Sequence, residues 1–466
     1  MTFDLIITNC NIVTAQGVFR GTVSIDEGKI VAISSPSAVF DATKVIDAKD
    51  GYLLPGVIDP HVHFGHPPKG FVKNLEDDQE SMVNGGVTSV FSFIGEQEEY
   101  SKFIPTIIEG IHQTSLIDVG IHTVINHRDQ LAGVTECAQK FGVTSIKFFI
   151  ANKGGVQIYP STWSVDDGTF YEGLRLVAKL GPPMLALAHC ENWEIASMMA
   201  DKLKAEGRTD QAAWSDSRPN ICEEEAMRRA SFLALRTKAP LYIVHISTRE
   251  GPEVLREFRE KGCNLKGEVC IHHLTTVKTD KLEVMSKYNP PIREREDVNA
   301  LWKALDDGTL NTVGSDHICN RRKENLVNPD KPDIWNSWGG QAGSPFILPM
   351  LFHEGVSKGR LRIERIPEVI SHNPARIFGL YPEKGGIRVG SDADLVIFDP
   401  SREVTITPEL VRLSANFCYY TGQKVKGWPS VTIVRGEVVL QDGQIVANKG
   451  HGKYLKRSLG QTQSDI

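Results

Sequence analysis

The stretch that decides the fold is Tyr52-Leu53-Leu54-Pro55-Gly56-Val57-Ile58-Asp59-Pro60-His61-Val62-His63. Its apolar residues are typical of a buried strand, in which alternate side chains point to the same face. His61 and His63 therefore project together, while Val62 faces the other way. Two neutral imidazoles side by side form half of a transition-metal site. On this stretch alone, the alternative of two histidines satisfied within a core stays open.

The composition is that of an ordinary globular protein. The chain has 466 residues, of which 41% are hydrophobic and 24% charged. Its net charge of -6 argues against a positively charged surface that binds nucleic acid. No apolar run is long enough to span a bilayer, and the N-terminus lacks the pattern of a signal peptide. The eight cysteines form no Cys-x-x-Cys pair, which favours reduced thiols and a cytoplasmic location.

The middle of the chain alternates between apolar strands and helical patterns, which predicts an α/β fold. Eight strands, most of them followed by a helix, are typical of a (β/α)8 TIM-type barrel. An open doubly wound sheet is the alternative, disfavoured because no Gly-x-Gly-x-x-Gly follows a strand. The predicted strands are 57–63, 87–93, 117–123, 144–151, 184–189, 241–245, 265–272 and 312–316.

Both ends of the chain contain short strands separated by turn residues. A few strands alone bury too little apolar surface to be stable. The two ends are therefore predicted to pack into one small β-sandwich. The predicted boundaries are 1–54 and 385–455 for the sandwich, 55–384 for the barrel and 456–466 for a flexible polar tail.

Polar residues at the ends of the predicted barrel strands would meet at one mouth of the barrel, where catalytic groups of such folds lie. His189 ends the fifth strand, His245 the sixth and Asp316 the eighth. Each residue alone has an ordinary explanation, a core histidine or, for Asp316, a helix N-cap. Four histidines and an aspartate that converge in space favour a metal site over packing.

Lys147 lies inside the fourth strand, in Ser145-Ile146-Lys147-Phe148-Phe149-Ile150. A buried ammonium is costly unless it is neutralised or paired. One alternative is a lysine that snorkels out at the strand end. The other is a neutral amine that adds CO2, which converts a cation into a carbamate anion able to bridge two divalent metals.

In this order and on these strands, the six residues resemble the binuclear amidohydrolase superfamily. Within it they are most similar to the cyclic amidohydrolases: hydantoinase/dihydropyrimidinase, with dihydroorotase and allantoinase nearby. The resemblance implies that Lys147 is an N6-carboxylysine bridging two metals. It assigns His61, His63 and Asp316 to one metal, and His189 and His245 to the other. The resemblance covers nearly the whole chain and includes the segments 55–63, 217–219, 313–317, 373–382 and 390–400.

The resemblance implies a hydrolase that opens a cyclic amide, such as a hydantoin or dihydropyrimidine ring. Two divalent ions would hold a bridging hydroxide that attacks the ring carbonyl. Asp316 would act as general base and then as general acid toward the leaving nitrogen. We expect Zn2+, with Mn2+, Co2+ or Fe2+ as alternatives, and CO2 for carboxylation of the lysine. The implied partners are a small-molecule substrate and further copies of the chain in a homotetramer or homodimer, with neither nucleic acid nor membrane.

Three positions depart from the family pattern and limit the substrate prediction. Gly65 stands where dihydroorotases carry an arginine that grips the substrate carboxylate, which argues against such a ring. Asn152 stands where hydantoinases carry a tyrosine that donates to the substrate oxygen, and an amide NH2 can also donate. Asn289 replaces a hydantoinase serine and is more similar to dihydroorotase and allantoinase. The alternative for Asn289 is a turn residue before proline.

The loop after the eighth strand would lie over the site. In hydantoinases this region offers backbone groups to the substrate, and the pair Gly339-Gly340 permits such an approach. Asn152, Asn289, Gly339 and Gly340 are therefore the predicted substrate contacts.

Two further functions stay open beside the hydantoinase-like one. One is an allantoinase-like or cyclic-imide or lactam hydrolase. The other belongs to a different class, a non-catalytic dihydropyrimidinase-like assembly protein. Such relatives lack metal ligands, whereas all six expected residues are present here.

Overall fold

Strands fall into two sheets in the computed structural model, which describes residues 2–38, 40–65, 67–96, 98–150, 164–280, 284–320 and 333–460. The strands of the described residues are β1 (Phe3–Thr14), β2 (Gly17–Asp26), β3 (Lys29–Ser34), β4 (Ala42–Asp47), β5 (Tyr52–Pro55), β6 (Val57–His63), β7 (Val87–Ile94), β8 (Asp118–Ile125), β9 (Ser145–Phe149), β10 (Leu185–His189), β11 (Leu241–Ile243), β12 (Leu265–Cys270), β13 (Thr312–Gly314), β14 (His317–Ile318), β15 (Leu395–Thr405), β16 (Lys424–Val434), β17 (Glu437–Gln441) and β18 (Gln444–Ile445).

The first sheet is a closed parallel barrel. Its strands follow the order β13-β12-β11-β10-β9-β8-β7-β6-β14, with parallel pairing throughout. The eighth barrel strand is split into β13 and β14. The first piece pairs with β12 and the second with β6, so the split strand closes the ring. Closure confirms the barrel and excludes the open doubly wound sheet.

The split in the eighth strand is held by Asp59 of the first strand. The backbone N–H of Ser315 donates to Oδ1 of Asp59 at 3.2 Å, and the N–H of His61 donates to the same atom at 3.1 Å. Asp316 then adopts a left-handed conformation with φ of 50°. A non-glycine residue rarely does so, and such strain concentrates at functional sites.

Several helices on the outside of the barrel begin after a residue whose side chain caps the first turn. Asp166 accepts from the N–H of Thr169 at 2.7 Å, and Asn192 accepts from the N–H of Ile195 at 3.1 Å. The α-helices of the described residues are α1 (Lys69–Asn84), α2 (Ile104–Thr114), α3 (Val134–Phe141), α4 (Asp167–Leu180), α5 (Trp193–Ala205), α6 (Gln211–Asp216), α7 (Asn220–Thr237), α8 (Glu250–Glu260), α9 (Ile271–Thr275), α10 (Arg295–Asp306), α11 (Ile347–Met350), α12 (Arg365–Pro367), α13 (Asn373–Ile377) and α14 (Pro408–Val411). Shorter 3-10 segments are Tyr100–Lys102, Arg128–Gly133, Val284–Ser286 and Ser344–Phe346, and π-helical turns are Leu351–Val356 and Glu368–His372.

The sixth and seventh barrel strands end earlier than predicted at the end that carries candidate site residues, as do the fourth, at Phe149, and the eighth, at Gly314. The sixth ends at Ile243, because His245 turns the chain with φ of 41°. The seventh ends at Cys270, where α9 begins immediately. The side chains of His245 and His272 are therefore placed by turns of the backbone and not by strand alternation.

The second sheet joins both termini, in the order β18-β17-β16-β15-β5-β1-β2-β3, with β4 paired to β1. The C-terminal strand β15 pairs with β5 from the N-terminal part, Leu395 opposite Pro55. This sheet has its own apolar core, with Ile12, Leu53 and Ile433 fully buried. Strand β5 of this sheet ends at Pro55 and β6 begins at Val57, so the position of the sheet is tied to the first barrel strand. The exact domain boundaries stay a prediction.

The N-terminal end of the barrel is tied to this sheet by a buried cation. Nζ of Lys384 lies 2.7 Å from Asp118, 2.6 Å from Asp394 and 3.0 Å from Asp392. These carboxylates outweigh the effect of burial and hold the pKa of Lys384 well above its usual value. The segment predicted as a loose tail is described as far as Gly460, and its Arg457 is buried and donates to the carbonyl of Ile121.

All eight cysteines are buried free thiols, as their scattered positions predict. None of the helices in the described part of the chain combines the length and hydropathy needed to cross a lipid bilayer.

Candidate metal centre and active site

His61 and His63 project from the end of β6 toward Asp316 in the split of the eighth strand. Nε2 of His61 lies 3.1 Å from Oδ1 of Asp316, and Nε2 of His63 lies 3.0 Å from the same oxygen. The three ligand atoms lie within 4.8 Å of one another. Burial raises the pKa of Asp316, but the two imidazoles outweigh it and hold that pKa well below its usual value. Two imidazoles and a carboxylate suit a zinc-like ion.

His189 and His245 form a second pair at the ends of the fifth and sixth strands. Their ring centroids are 4.4 Å apart, and the ring of His245 is 5.4 Å from that of His61. Nδ1 of each is buried and, within the described residues, has no hydrogen-bond partner. A buried polar atom without a partner costs free energy unless it binds something. The two unpaired nitrogens fit the role of metal ligands.

Lys147 lies in β9 between the two pairs of histidines in the ring of strands. Its side chain is fully buried, which excludes the snorkelling alternative. Its Nζ has no hydrogen-bond partner in the described part of the chain, and lies 4.8 Å from the ring centre of Phe93 and 4.9 Å from that of Phe149. Burial lowers the pKa of Lys147 to about 8. This makes the neutral amine, which is the form that adds CO2, readily available.

Glu268 in β12 is a functional candidate that the sequence did not reveal. Its Oε1 lies 2.7 Å from Nδ1 of His61 and accepts from the backbone N–H of His245 at 3.0 Å. Tyr242 donates to its other oxygen at 2.8 Å. Burial lowers the pKa of His61, but Glu268 and Asp316 outweigh it and raise that pKa to about 9. Metal-ligating histidines commonly have such a carboxylate on the opposite ring nitrogen.

Glu191 plays the same part for His189. Its Oε2 lies 2.8 Å from Nε2 of His189, and Nε of Arg218 lies 3.5 Å from its other oxygen. The guanidinium of Arg218 stacks 3.6 Å from the ring centre of Trp214. Burial raises the pKa of Glu191, but His189 and Arg218 lower it more. Glu191 therefore stays ionised and leaves Nδ1 of His189 as the lone-pair nitrogen.

The structure describes three of the four predicted substrate contacts. Asn152 lies outside the described residues. Asn289 is buried, and its Oδ1 has no partner among the residues described, so it can still accept a ligand's hydrogen bond. The N–H of Gly340 donates to the carbonyl of Lys287 at 2.8 Å, so this N–H is not available to a ligand. Gly340 has φ of 81°, and a Cβ there would lie 2.2 Å from Cδ1 of Ile318. Contact of Gly339 with a substrate stays a prediction.

The mouth of this parallel barrel brings together imidazoles, a carboxylate and an amine that has no hydrogen-bond partner among the described residues. This arrangement is typical of barrel enzymes, whose active sites lie at the C-terminal ends of the strands. Comparison with known proteins makes the class specific. The chain belongs to the amidohydrolase family, whose sequence model matches residues 52–439, and within that family to the cyclic amidohydrolases.

Relatives and solved structures match the chain over nearly its whole length. It is 35% identical to a D-hydantoinase of Geobacillus stearothermophilus, with 97% of this chain and 96% of the relative covered. It is 31% identical to an allantoinase of Rubrobacter xylanophilus, with 97% and 98% covered. The crystal structure of a dihydropyrimidinase from Brevibacillus agri superposes with a TM-score of 0.88 at 33% identity, covering 97% of this chain and 98% of the other.

Proposed function

We propose that the protein is a metal-dependent hydrolase that opens cyclic amides of the hydantoin or dihydropyrimidine type. The observation that carries this proposal is the convergence of six side chains at one barrel mouth, five of them buried and that of His63 14% exposed. These side chains are His61, His63, Lys147, His189, His245 and Asp316. Membership in the cyclic amidohydrolases and the hydantoinase and dihydropyrimidinase relatives support the same substrate class.

The donor set fits two divalent ions, with Zn2+ first among the candidates. His61, His63 and Asp316 would hold one ion. His189 and His245 would hold the other, each through the Nδ1 atom that has no hydrogen-bond partner in the described part of the chain. Lys147, once carboxylated by CO2 on Nζ, would supply a carbamate as a further anionic ligand. When bound, such ions activate water as a nucleophile near neutral pH and polarise a carbonyl oxygen.

The residues of the chain would then orient the reactants and move the proton. A carboxylate oxygen of Asp316 would accept the proton of the attacking water and return it to the ring nitrogen as the carbon–nitrogen bond breaks. This return is needed because an amide anion is a poor leaving group. Glu268 and Glu191 keep His61 and His189 in fixed orientations. The amide of Asn289 would contact the substrate ring.

The replacement Asp316→Asn tests this assignment. It keeps the shape but removes the proton acceptor, so turnover should fall by about 10²–10⁴-fold or more. Metal content per chain should stay near that of the unmodified protein, because the remaining ligands are unchanged. The matched control is Asp399→Asn, in the terminal sheet, which should keep both turnover and metal. Near-normal turnover of Asp316→Asn would refute the assignment.

The choice of ring requires a substrate panel. We propose hydantoins and dihydrouracil as the best substrates, with allantoin and cyclic imides or lactams as the alternatives. The allantoinase alternative is supported by the allantoinase relative and by Asn289. Dihydroorotate should be a poor substrate, because Gly65 offers no cation for its carboxylate. Product formation from each ring, measured with both enantiomers where they exist, decides among these.

A non-catalytic assembly role is the alternative from another class. The complete set of candidate ligands argues against it. Assembly itself is part of the proposal, since the family resemblance implies a homotetramer or homodimer in the cytoplasm. Analytical ultracentrifugation gives the mass in solution. Absence of turnover on every ring, together with absence of bound metal, would favour the assembly role.

A further inference from the structure

Three side chains that can bind a metal ion gather at the end of β12, outside the six residues assigned above. Cys270 is the last residue of this strand, and His272 and His273 lie in α9 directly after it. One ligand atom from each lies within 4.8 Å of the other two, and all three residues are buried. Donors that share one ion, with metal–ligand bonds of about 2.0–2.3 Å each, lie within this limit of one another.

The ring of His273 is already held in the state of a metal ligand. Its Nε2 lies 3.1 Å from the carbonyl oxygen of Pro290. A carbonyl can only accept, so Nε2 carries the proton and Nδ1 carries the lone pair. That Nδ1 is buried and has no hydrogen-bond partner in the described segments. Metal-binding histidines are typically fixed in this way by a backbone carbonyl or carboxylate on the far nitrogen.

The ring of His272 is also fixed in orientation, and the thiol of Cys270 makes only a weak contact. The ring of His272 stacks on that of Tyr288 at 3.8 Å between centroids and 15° between planes, which fixes its orientation. Its Nδ1 is also buried and unpartnered as far as the chain is described. Sγ of Cys270 lies 3.8 Å from Oε1 of Glu268, a weak contact for a thiol donor. Two unpaired imidazole nitrogens beside a thiol are difficult to explain by packing.

We propose that Cys270, His272 and His273 form a separate site for one thiophilic divalent cation of the Zn2+ class. A thiolate with two imidazoles is a ligand set that zinc prefers, and three protein donors leave one position open. Binding displaces the thiol proton of Cys270 to solvent, and the sulfur–metal bond replaces the sulfur–hydrogen bond. The proposal does not depend on the function proposed above.

The location gives this site a consequence for the rest of the barrel mouth. Cys270 follows Glu268 by two residues, and Glu268 holds His61. Tyr288, which stacks on His272, precedes Asn289, the predicted substrate contact. An ion at Cys270 would therefore lie close to Glu268, which contacts the candidate ligand His61, and close to Tyr288, the neighbour of Asn289.

The test counts zinc in four proteins expressed in zinc-supplemented medium and dialysed into metal-free buffer. They are the unmodified protein, Cys270→Ser, His273→Gln and the control Cys263→Ser, whose thiol donates to the carbonyl of Ser231. Elemental analysis should find one zinc per chain more in the unmodified protein and the control than in the other two. This difference does not depend on whether the six residues of the proposed binuclear centre bind metal. Equal zinc in all four would overturn the proposal.

A spectroscopic measurement guards against a variant that fails to fold. Circular dichroism first establishes which variants keep the fold. Cadmium is then exchanged into the unmodified protein and Cys263→Ser, and the thiolate-to-metal absorption band is recorded. A band equivalent to one cadmium–thiolate bond per chain is expected in both, and should be lost in folded His273→Gln. Absence of the band from the unmodified protein would overturn the proposal.

Discussion

The two ends of the barrel bury charged groups in opposite ways. At the N-terminal end, the ammonium of Lys384 contacts three carboxylates at 2.6–3.0 Å. At the C-terminal mouth, the amine of Lys147 is equally buried and has no hydrogen-bond partner among the described residues. At the N-terminal end the buried cation is paired by carboxylates of the chain. At the C-terminal mouth, nitrogen atoms of buried side chains lack hydrogen-bond partners among the described residues. Unpaired buried groups are costly, so the mouth is arranged for ligands that the chain does not itself supply.

The largest expected effect is at the complete end. Lys384→Met removes the cation and leaves the carboxylates of Asp118, Asp392 and Asp394 close together. Breaking a buried ion pair costs about 3–5 kcal/mol, so the free energy of unfolding should fall by that amount in a denaturant titration. The control is Lys29→Met, whose amine contacts Asp392 at 2.6 Å but is 44% exposed. It should cost about 0–1 kcal/mol. Equal losses would contradict the contrast between the two ends.

The next effect concerns the carboxylate behind His61. Glu268→Gln keeps the size of the side chain but weakens its hold on Nδ1 of His61. Loss of such a partner typically lowers metal affinity or activity by about 10–100-fold. Competition with a chelator of known affinity measures the first, and initial rates the second. Glu257→Gln, on the outer helix α8, is the control and should change neither. Unchanged metal affinity in Glu268→Gln would show that His61 needs no such support.

The smallest effect compares two buried lysines directly. Lys147→Met should raise the free energy of unfolding of the metal-free protein by about 1–3 kcal/mol, because an unpaired buried amine is removed. Lys287→Met should lower it by about the same amount, because Nζ of Lys287 donates to the carbonyls of Ile334 at 2.6 Å and Ser337 at 2.9 Å. Both are measured without metal or bicarbonate. Destabilisation by Lys147→Met would mean that its amine has a structural partner.

The sequence was sufficient for the barrel because apolar strands and helices alternate with regular spacing, and strand-end histidines are visible against apolar runs. It could not show the split of the eighth strand, which depends on Asp59 of the first strand contacting Ser315 of the adjacent eighth strand. Nor could it reveal Glu268. A single glutamate within a strand carries no sign that a histidine 207 residues away lies beside it. Contacts between distant strands are set by closure of the ring, and no local pattern records them.

The most direct test of the metal centre is anomalous diffraction from crystals of the unmodified protein. For the binuclear centre we expect two peaks, about 3.5–4 Å apart, in addition to the separate peak expected at Cys270, His272 and His273. One should lie among His61, His63 and Asp316 and the other beside His189 and His245, with extra density on Nζ of Lys147. A mouth without anomalous peaks in metal-replete crystals, with Lys147 unmodified, would contradict the account.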